Sequence, residues 1–151
     1  MTKLKIGVIG TGRIGKVHIA TLVQSVPQAE VVAVADIDLD SAKQVAEKFG
    51  IMSVTAHPEN IIANNEIDAV AICSSTDTHA HYIIQAAEAG KHIFCEKPVD
   101  LSISVIQAAI DAASKAGVKL MPGFNRRFDP NFMKLRQLVS EGEVGDPHIL
   151  K

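Results

Sequence analysis

Short runs of apolar, mostly β-branched residues alternate along this chain with longer stretches in which apolar positions recur every three or four residues. The first run, Leu4, Ile6, Val8 and Ile9, has the length and composition of a strand buried on both faces. Residues 14–25 then place Ile14, Val17, Ala20 and Leu22 on one side, which predicts a helix closed by Pro27. Further strands are predicted at 30–35, 53–56, 68–73, 91–95 and 118–121. Between them lie helices: one capped by Asp40 or Ser41 and running through Phe49 to stop at Gly50, and a short one opened by Pro58. Two more run over 80–89, ended by Gly90, and over 103–116, capped by Ser102 and ended by Gly117. A last helix is predicted over 130–141. A turn-rich stretch follows, and 148–151 reads as the opening of another strand. Six strands alternating with helices predict an α/β fold, a doubly wound and mostly parallel sheet with helices on both faces.

The first strand runs directly into Gly10-Thr11-Gly12-Arg13-Ile14-Gly15, a GxGxxG turn with a strand in front and a helix behind. Gly10 allows the tight turn, Gly12 admits a pyrophosphate close to the backbone, and Gly15 lets the helix lie close to the strand. The free N–H groups at the helix start, aided by the helix dipole, favour negative charge there. A glycine turn alone is a weak signal; it gains force from an acidic residue ending the next strand about 20 residues on. Asp36 meets that condition. Its carboxylate can accept from both hydroxyls of an adenosine ribose and would repel a 2′-phosphate, favouring NAD over NADP. Gly10, Thr11, Gly12, Arg13, Ile14, Asp36 and Ile37 are the candidate cofactor contacts of this half. Arg13, a cation able to meet a phosphate, belongs to the turn and not to the ribose end.

In an open α/β sheet, ligands bind outside the carboxyl ends of the strands, where strand order reverses. The fourth strand ends in Ser74-Ser75-Thr76-Asp77-Thr78-His79, which therefore forms the opposite lip of the crevice; Ser74, Ser75, Thr76 and His79 join the candidate cofactor contacts. Those hydroxyls are also suited to plain turn and helix-cap chemistry, an even alternative for Thr78. The fifth strand ends in Glu96-Lys97-Pro98, a charged pair at the ligand face that Pro98 keeps from continuing as strand. Glu96 and Lys97 are candidate cofactor contacts, and Lys97 is well placed to reach a substrate. After the sixth strand come Asn125, Arg126 and Arg127; one of two adjacent arginines is expected to be solvated surface. His18, inside the first helix, reads as a structural residue.

Composition narrows the classes. Hydrophobic residues make up 47% and charged residues 21%, with a formal net charge of −2, so an ordinary globular domain is expected. Fifteen Lys and Arg against 17 Asp and Glu, with no basic run, argue against a nucleic-acid or anionic-membrane partner. No apolar stretch approaches the roughly 20 residues of a bilayer span, and no signal-peptide core precedes the first strand, so the expected location is cytoplasmic. Cys73 and Cys95 end core strands and read as small hydrophobes, and six scattered His give no metal-ligand spacing, so no metal is expected.

The glycine turn with Asp36, the polar loop at 74–79, Glu96-Lys97-Pro98 and Gly123-Phe124-Asn125-Arg126-Arg127-Phe128, in this order, resemble the Gfo/Idh/MocA oxidoreductase family over the whole length. Glu96-Lys97-Pro98 is the most specific of these marks. Within the family, the Arg126-Arg127-Phe128-Asp129 segment is most similar to inositol 2-dehydrogenases. The resemblance implies two domains: an NAD-binding Rossmann domain at 1–122, then a connecting helix and the start of a catalytic and oligomerisation domain at 123–151. It implies a polyol or sugar substrate met by Lys97, Asn125 and Arg126, with hydride passing to NAD. Lys97 would work with an Asp and a His from the second domain, which is also expected to make a homo-oligomer contact. The alternative is a stand-alone NAD(H)-sensing module. Lys97 discriminates, because a sensor needs the glycines and Asp36 but has no use for a lysine at the nicotinamide end.

Overall fold

The structure is a computed structural model describing residues 2–148. Six parallel strands form one sheet: β1 (Leu4–Ile9), β2 (Ala29–Ala35), β3 (Ser53–Thr55), β4 (Ala69–Ile72), β5 (His92–Cys95) and β6 (Leu120–Pro122), in the order β3-β2-β1-β4-β5-β6. The helices are α1 (Arg13–Ser25), α2 (Leu39–Phe49), α3 (Pro58–Ile62), α4 (Thr76–Glu88), α5 (Ile103–Ala116) and α6 (Pro130–Ser140). A 3-10 turn, Asn125–Phe128, precedes α6. Strand order reverses between β1 and β4, which pair in register from Ile6 with Ala69 to Ile9 with Ile72. The predicted doubly wound sheet is therefore present, and its switch point lies at the carboxyl ends of β1 and β4.

Each face of the sheet buries its own core, which is why the strands read as nearly continuous apolar runs and not as alternating ones. On one face, Ile9, Ile72 and Ile93 pack with Ile83 and Ala87 of α4 and Ala109 and Ala113 of α5. On the other, Val8, Val34 and Ala71 pack with Ile19 of α1 and Val45 of α2. Val8, Ile9, Val34 and Ile72 are fully enclosed, each side chain contributing about 1.5–3 kcal/mol by leaving water. Small residues on α4 and α5 (Ala86, Ala87, Ala109, Ala113) let these helices pack closely on the sheet and on one another.

Several boundaries and caps differ from expectation. The cap of α2 is Asp38, whose side chain accepts from the Ser41 N–H, not Asp40 or Ser41. Helix α4 begins at Thr76, four residues before the predicted start, because Ser75 is extended and Asp77 favours the first turn of a helix. Ser102 does precede α5, but its hydroxyl pairs with Ser104 Oγ and makes no cap. The last helix ends one residue early, and residues 149–151 of the expected final strand lie outside the described residues.

Candidate functional site

The glycine turn is shaped by two steric demands and one vacancy. Gly10 has φ +98°, and a Cβ there would stand 2.5 Å from the Cys73 carbonyl, so both its conformation and the approach of β4 require glycine. A Cβ on Gly15 would collide with the Gly10 carbonyl oxygen, where α1 crosses the end of β1. Gly12 differs: its backbone is extended, and a Cβ there would meet nothing within 4 Å. The open volume above Gly12 is thus on the crevice side. Gly12 is also the N-cap of α1, and no side chain caps that end. The first-turn N–H groups are left for an anion. Arg13 and Ile14 are exposed, and neither lines the crevice.

Asp36 leaves β2 beside that turn. Its Oδ2 accepts from the Thr11 backbone N–H at 2.6 Å and from Thr11 Oγ1 at 2.9 Å, while Oδ1 accepts from the Asp38 N–H at 3.0 Å. Thr11 is fully buried, and its backbone N–H and hydroxyl both donate to Asp36. Oδ2 already accepts two bonds, whereas Oδ1 accepts one and retains a lone pair for a further donor. Ile37 beside it is 90% exposed and projects from the protein surface.

A crevice of about 290 Å³ joins these parts. Gly10, Gly12, Asp36 and Ile37 form one side and Ser74 and Ser75 the other, as the strand-end argument anticipates. Ile9, Ala35, Pro58, Cys73, Thr78 and Tyr82 complete it. Ile9 and Ala35 close their strands and Cys73 directly follows β4, a position that would have found them. Pro58 and Tyr82 arrive from α3 and α4 through tertiary packing alone. Burial, reinforced by the charge of Glu96, pushes the Cys73 thiol up to about 12, so it stays a neutral, apolar wall. Ser74 Oγ and Thr78 Oγ1 lie 2.7 Å apart, and Thr78 Oγ1 donates to the Ser75 carbonyl, so Thr78 has both the crevice position and the turn bond. Thr76 is in the first turn of α4 and does not line the crevice.

At the end of β5, Glu96 N–H donates to the Ile72 carbonyl, continuing the ladder with β4 by one residue; Lys97 follows it and is not among the residues lining the crevice. Lys97 is exposed, its ammonium makes no hydrogen bond or ion pair among the described residues, and the Lys97–Pro98 peptide is cis. Two of the expected contact residues have partners within the chain here. The Glu96 carboxylate turns to His18 and to the Lys97 backbone N–H and does not face the crevice. His79 is 2% exposed, with Nδ1 at 2.7 Å from the Pro98 carbonyl and Nε2 at 2.9 Å from the Ser74 carbonyl. It neither caps α4 nor reaches the crevice; it ties the Ser74 lip to the Lys97 segment from beneath. His18, read as structural, belongs to this region as the partner of Glu96.

Asn125 and Arg126 lie on the exposed 3-10 turn outside the crevice. Arg126 pairs with Asp129 at 3.3 Å and stacks over the Phe132 ring, its guanidinium carbon 5.1 Å from the centroid. Both arginines are solvent-accessible; Arg126 and Arg127 line a separate surface groove with Phe132, Met133 and Arg136. Among the described residues no cluster of His, Cys, Asp or Glu could hold a metal ion, and no helix is long and apolar enough to cross a membrane.

The geometry agrees with what similarity finds. The chain is 42% identical over 148 residues to the myo-inositol 2-dehydrogenase of Thermotoga maritima, covering 98% of this chain and 44% of that protein. It is 46% identical over 143 residues to the inositol 2-dehydrogenase of Rhizobium meliloti, covering 95% of this chain and 42% of that protein. The fold superposes with a TM-score of 0.91, at 32% identity, on the scyllo-inositol dehydrogenase of Lactobacillus casei with bound NAD(H) and scyllo-inositol, over 96% of this chain and 43% of that one. The chain thus spans less than half the length of the relatives it matches. The family profile described as an oxidoreductase family with an NAD-binding Rossmann fold matches residues 4–124. This chain therefore belongs to the Gfo/Idh/MocA oxidoreductase family and carries its NAD-binding Rossmann fold.

Proposed function

We propose that residues 1–122 bind NAD in the crevice between the glycine turn and the Ser74 lip, and that a protein of the relatives' length oxidises a polyol, inositol being the favoured class. The observation that carries the reading is the coincidence, in one crevice at the switch point, of the open space at Gly12 and the Asp36 carboxylate, with Lys97 just past the end of the neighbouring strand β5. The residues fit the cofactor: the uncapped α1 start suits a pyrophosphate, and Asp36, held by Thr11, keeps acceptor capacity on Oδ1 for a ribose hydroxyl. NAD, when bound, supplies the hydride acceptor.

This chain's own residues do the rest. Gly10 and Gly12 let the backbone approach, and the first-turn N–H groups, including those of Arg13 and Ile14, donate to the phosphates. Asp36 selects the unphosphorylated ribose, since a 2′-phosphate would sit against its negative charge. Ile37 beside Asp36, and Ser74 and Ser75 on the opposite edge of the crevice, would complete the hold on the cofactor. Lys97 donates to the substrate hydroxyl and favours loss of its proton by placing a positive charge beside the oxygen. Asn125 and Arg126 would reach a polyol only after Arg126 leaves Asp129, so they are its outer contacts. Residues 123–151 lead toward a second domain that supplies the remaining catalytic groups and the homo-oligomer contact, in a cytoplasmic enzyme.

The test is a pair of proteins. The 151-residue chain binds NAD by calorimetry but forms no NADH with myo-inositol, scyllo-inositol or glucose, because one flexible ammonium cannot orient a polyol against the nicotinamide. A chain extended to the relatives' length does both, and loses turnover with Lys97→Ala. Failure of the extended protein on every polyol would remove the substrate assignment, and NAD binding with no turnover on any alcohol would favour the sensing module instead.

A further inference from the structure

We infer that His18 is a positioning residue for Lys97, acting through Glu96 to set the lysine's backbone against the phosphate-binding helix. The inference rests on the role proposed above for Lys97. His18 lies one turn beyond Ile14 in α1, and its Nε2 is 2.7 Å from Glu96 Oε1. The other carboxylate oxygen, Oε2, accepts the Lys97 backbone N–H at 3.0 Å. The carboxylate therefore bridges two elements 78 positions apart in sequence, one beginning at the glycine turn and one ending at the candidate catalytic group.

Three features set this pair apart from an ordinary surface ion pair, which contributes little. First, the Glu96 side chain is only 14% exposed and that of His18 28%. Second, the imidazole is held from its other side by the Phe94 ring, edge to face at a centroid distance of 4.9 Å and an interplanar angle of 63°. Third, the Glu96 backbone N–H is already committed to the Ile72 carbonyl, so the carboxylate works from a fixed anchor. The Lys97 ammonium has no side-chain partner of its own among the described residues. Its placement is left to its backbone, and Glu96 is what holds the Lys97 N–H. Without His18, the carboxylate loses one of its two partners and becomes a mobile negative charge next to the lysine it now steadies.

The same arrangement joins cofactor and catalyst. α1 presents its first-turn N–H groups at Gly12 and its His18 at Glu96, so a helix clamped at one end by a pyrophosphate fixes the other contact too.

The test has two arms. In the 151-residue chain, amide proton and nitrogen shifts and exchange rates of Lys97 are compared among wild type, His18→Ala, His18→Gln and Glu96→Ala. Gln places a side-chain N–H donor near the position of the imidazole Nε2 and is the conservative rescue. Expected are an upfield shift and faster exchange of the Lys97 amide in His18→Ala and Glu96→Ala, with return toward wild type in His18→Gln. In a chain extended to the relatives' length, His18→Ala lowers kcat by about ten- to a hundredfold with NAD affinity unchanged, as expected for a small misplacement of a reacting group, and His18→Gln recovers most of it. An unmoved Lys97 amide in His18→Ala overturns the inference, as does an active extended protein whose kcat survives that substitution. If the extended protein is inactive on all polyols, the proposed reaction fails, while the amide arm still decides whether His18 positions Lys97.

Discussion

Two neighbouring glycines should fail in opposite ways when replaced, and the contrast tests the reading of the turn. At Gly12 a side chain meets nothing within 4 Å and the backbone is extended, so Gly12→Val strains neither the chain nor its neighbours. The stability cost is that of a poor N-cap residue, about 1 kcal/mol, which for a domain of this size lowers the melting temperature by about 2–4 °C. The new side chain does, however, occupy the space over the α1 start. A pyrophosphate denied two charge-assisted bonds to first-turn N–H groups loses roughly 3–6 kcal/mol, a fall in affinity of a hundredfold or more on the order of one decade per 1.4 kcal/mol. Gly15→Ala reverses the pattern. Its Cβ collides with the Gly10 carbonyl, and neither a Cβ nor a backbone carbonyl can rotate away. Overpacking of this kind costs about 3 kcal/mol, or roughly 6–12 °C of melting temperature. Circular dichroism melts and NAD titration calorimetry on both variants decide the matter. A folded Gly12→Val protein with undiminished NAD affinity refutes the assignment of the open space. A Gly12→Val protein that melts as early as Gly15→Ala refutes the steric account.

Asp36→Ala should narrow the preference for NAD over NADP, with about 1–3 kcal/mol lost on the NAD side for a bond to a charged acceptor; calorimetry with both cofactors checks it, and an unchanged ratio removes Asp36 from the ribose. Thr11→Val should produce part of the same loss although Thr11 is buried, because it deletes the hydroxyl bond that holds Asp36 while leaving the backbone bond. Cys73 and Cys95 thiols are raised from 9.0 to about 12, burial being the leading cause for each. The folded state thus keeps protons that the unfolded chain sheds first. Their contribution to stability is complete below pH 9.0 and is lost as pH rises toward 12, so urea midpoints should fall over that window and fall less in a Cys73→Ala, Cys95→Ala protein. The same burial predicts that alkylating reagents leave both thiols intact until the chain is unfolded.

The alternation of strands and helices, the strand order's switch point and the glycine turn with Asp36 were legible in the chain because each is written in local chemistry. A parallel strand covered on both faces must be apolar throughout, and an αL helix end such as Gly50 or Gly117 must be glycine or nearly so. The spacing from Gly15 to Asp36 is one helix and one strand, a length that geometry imposes. Side-chain direction is another matter. That Thr11 would turn inward to Asp36, that His79 would reach the Pro98 carbonyl, and that Glu96 would face His18 and not the crevice all depend on partners 19 to 78 positions away. No periodicity of neighbouring residues carries that information. Even the start of α4 at Thr76 reflects a choice among several Ser, Thr and Asp residues, all competent to cap or to turn. Local sequence determined which groups stand at the crevice's rim; the packing of α1 and α4 against the strand ends decided which of them face it.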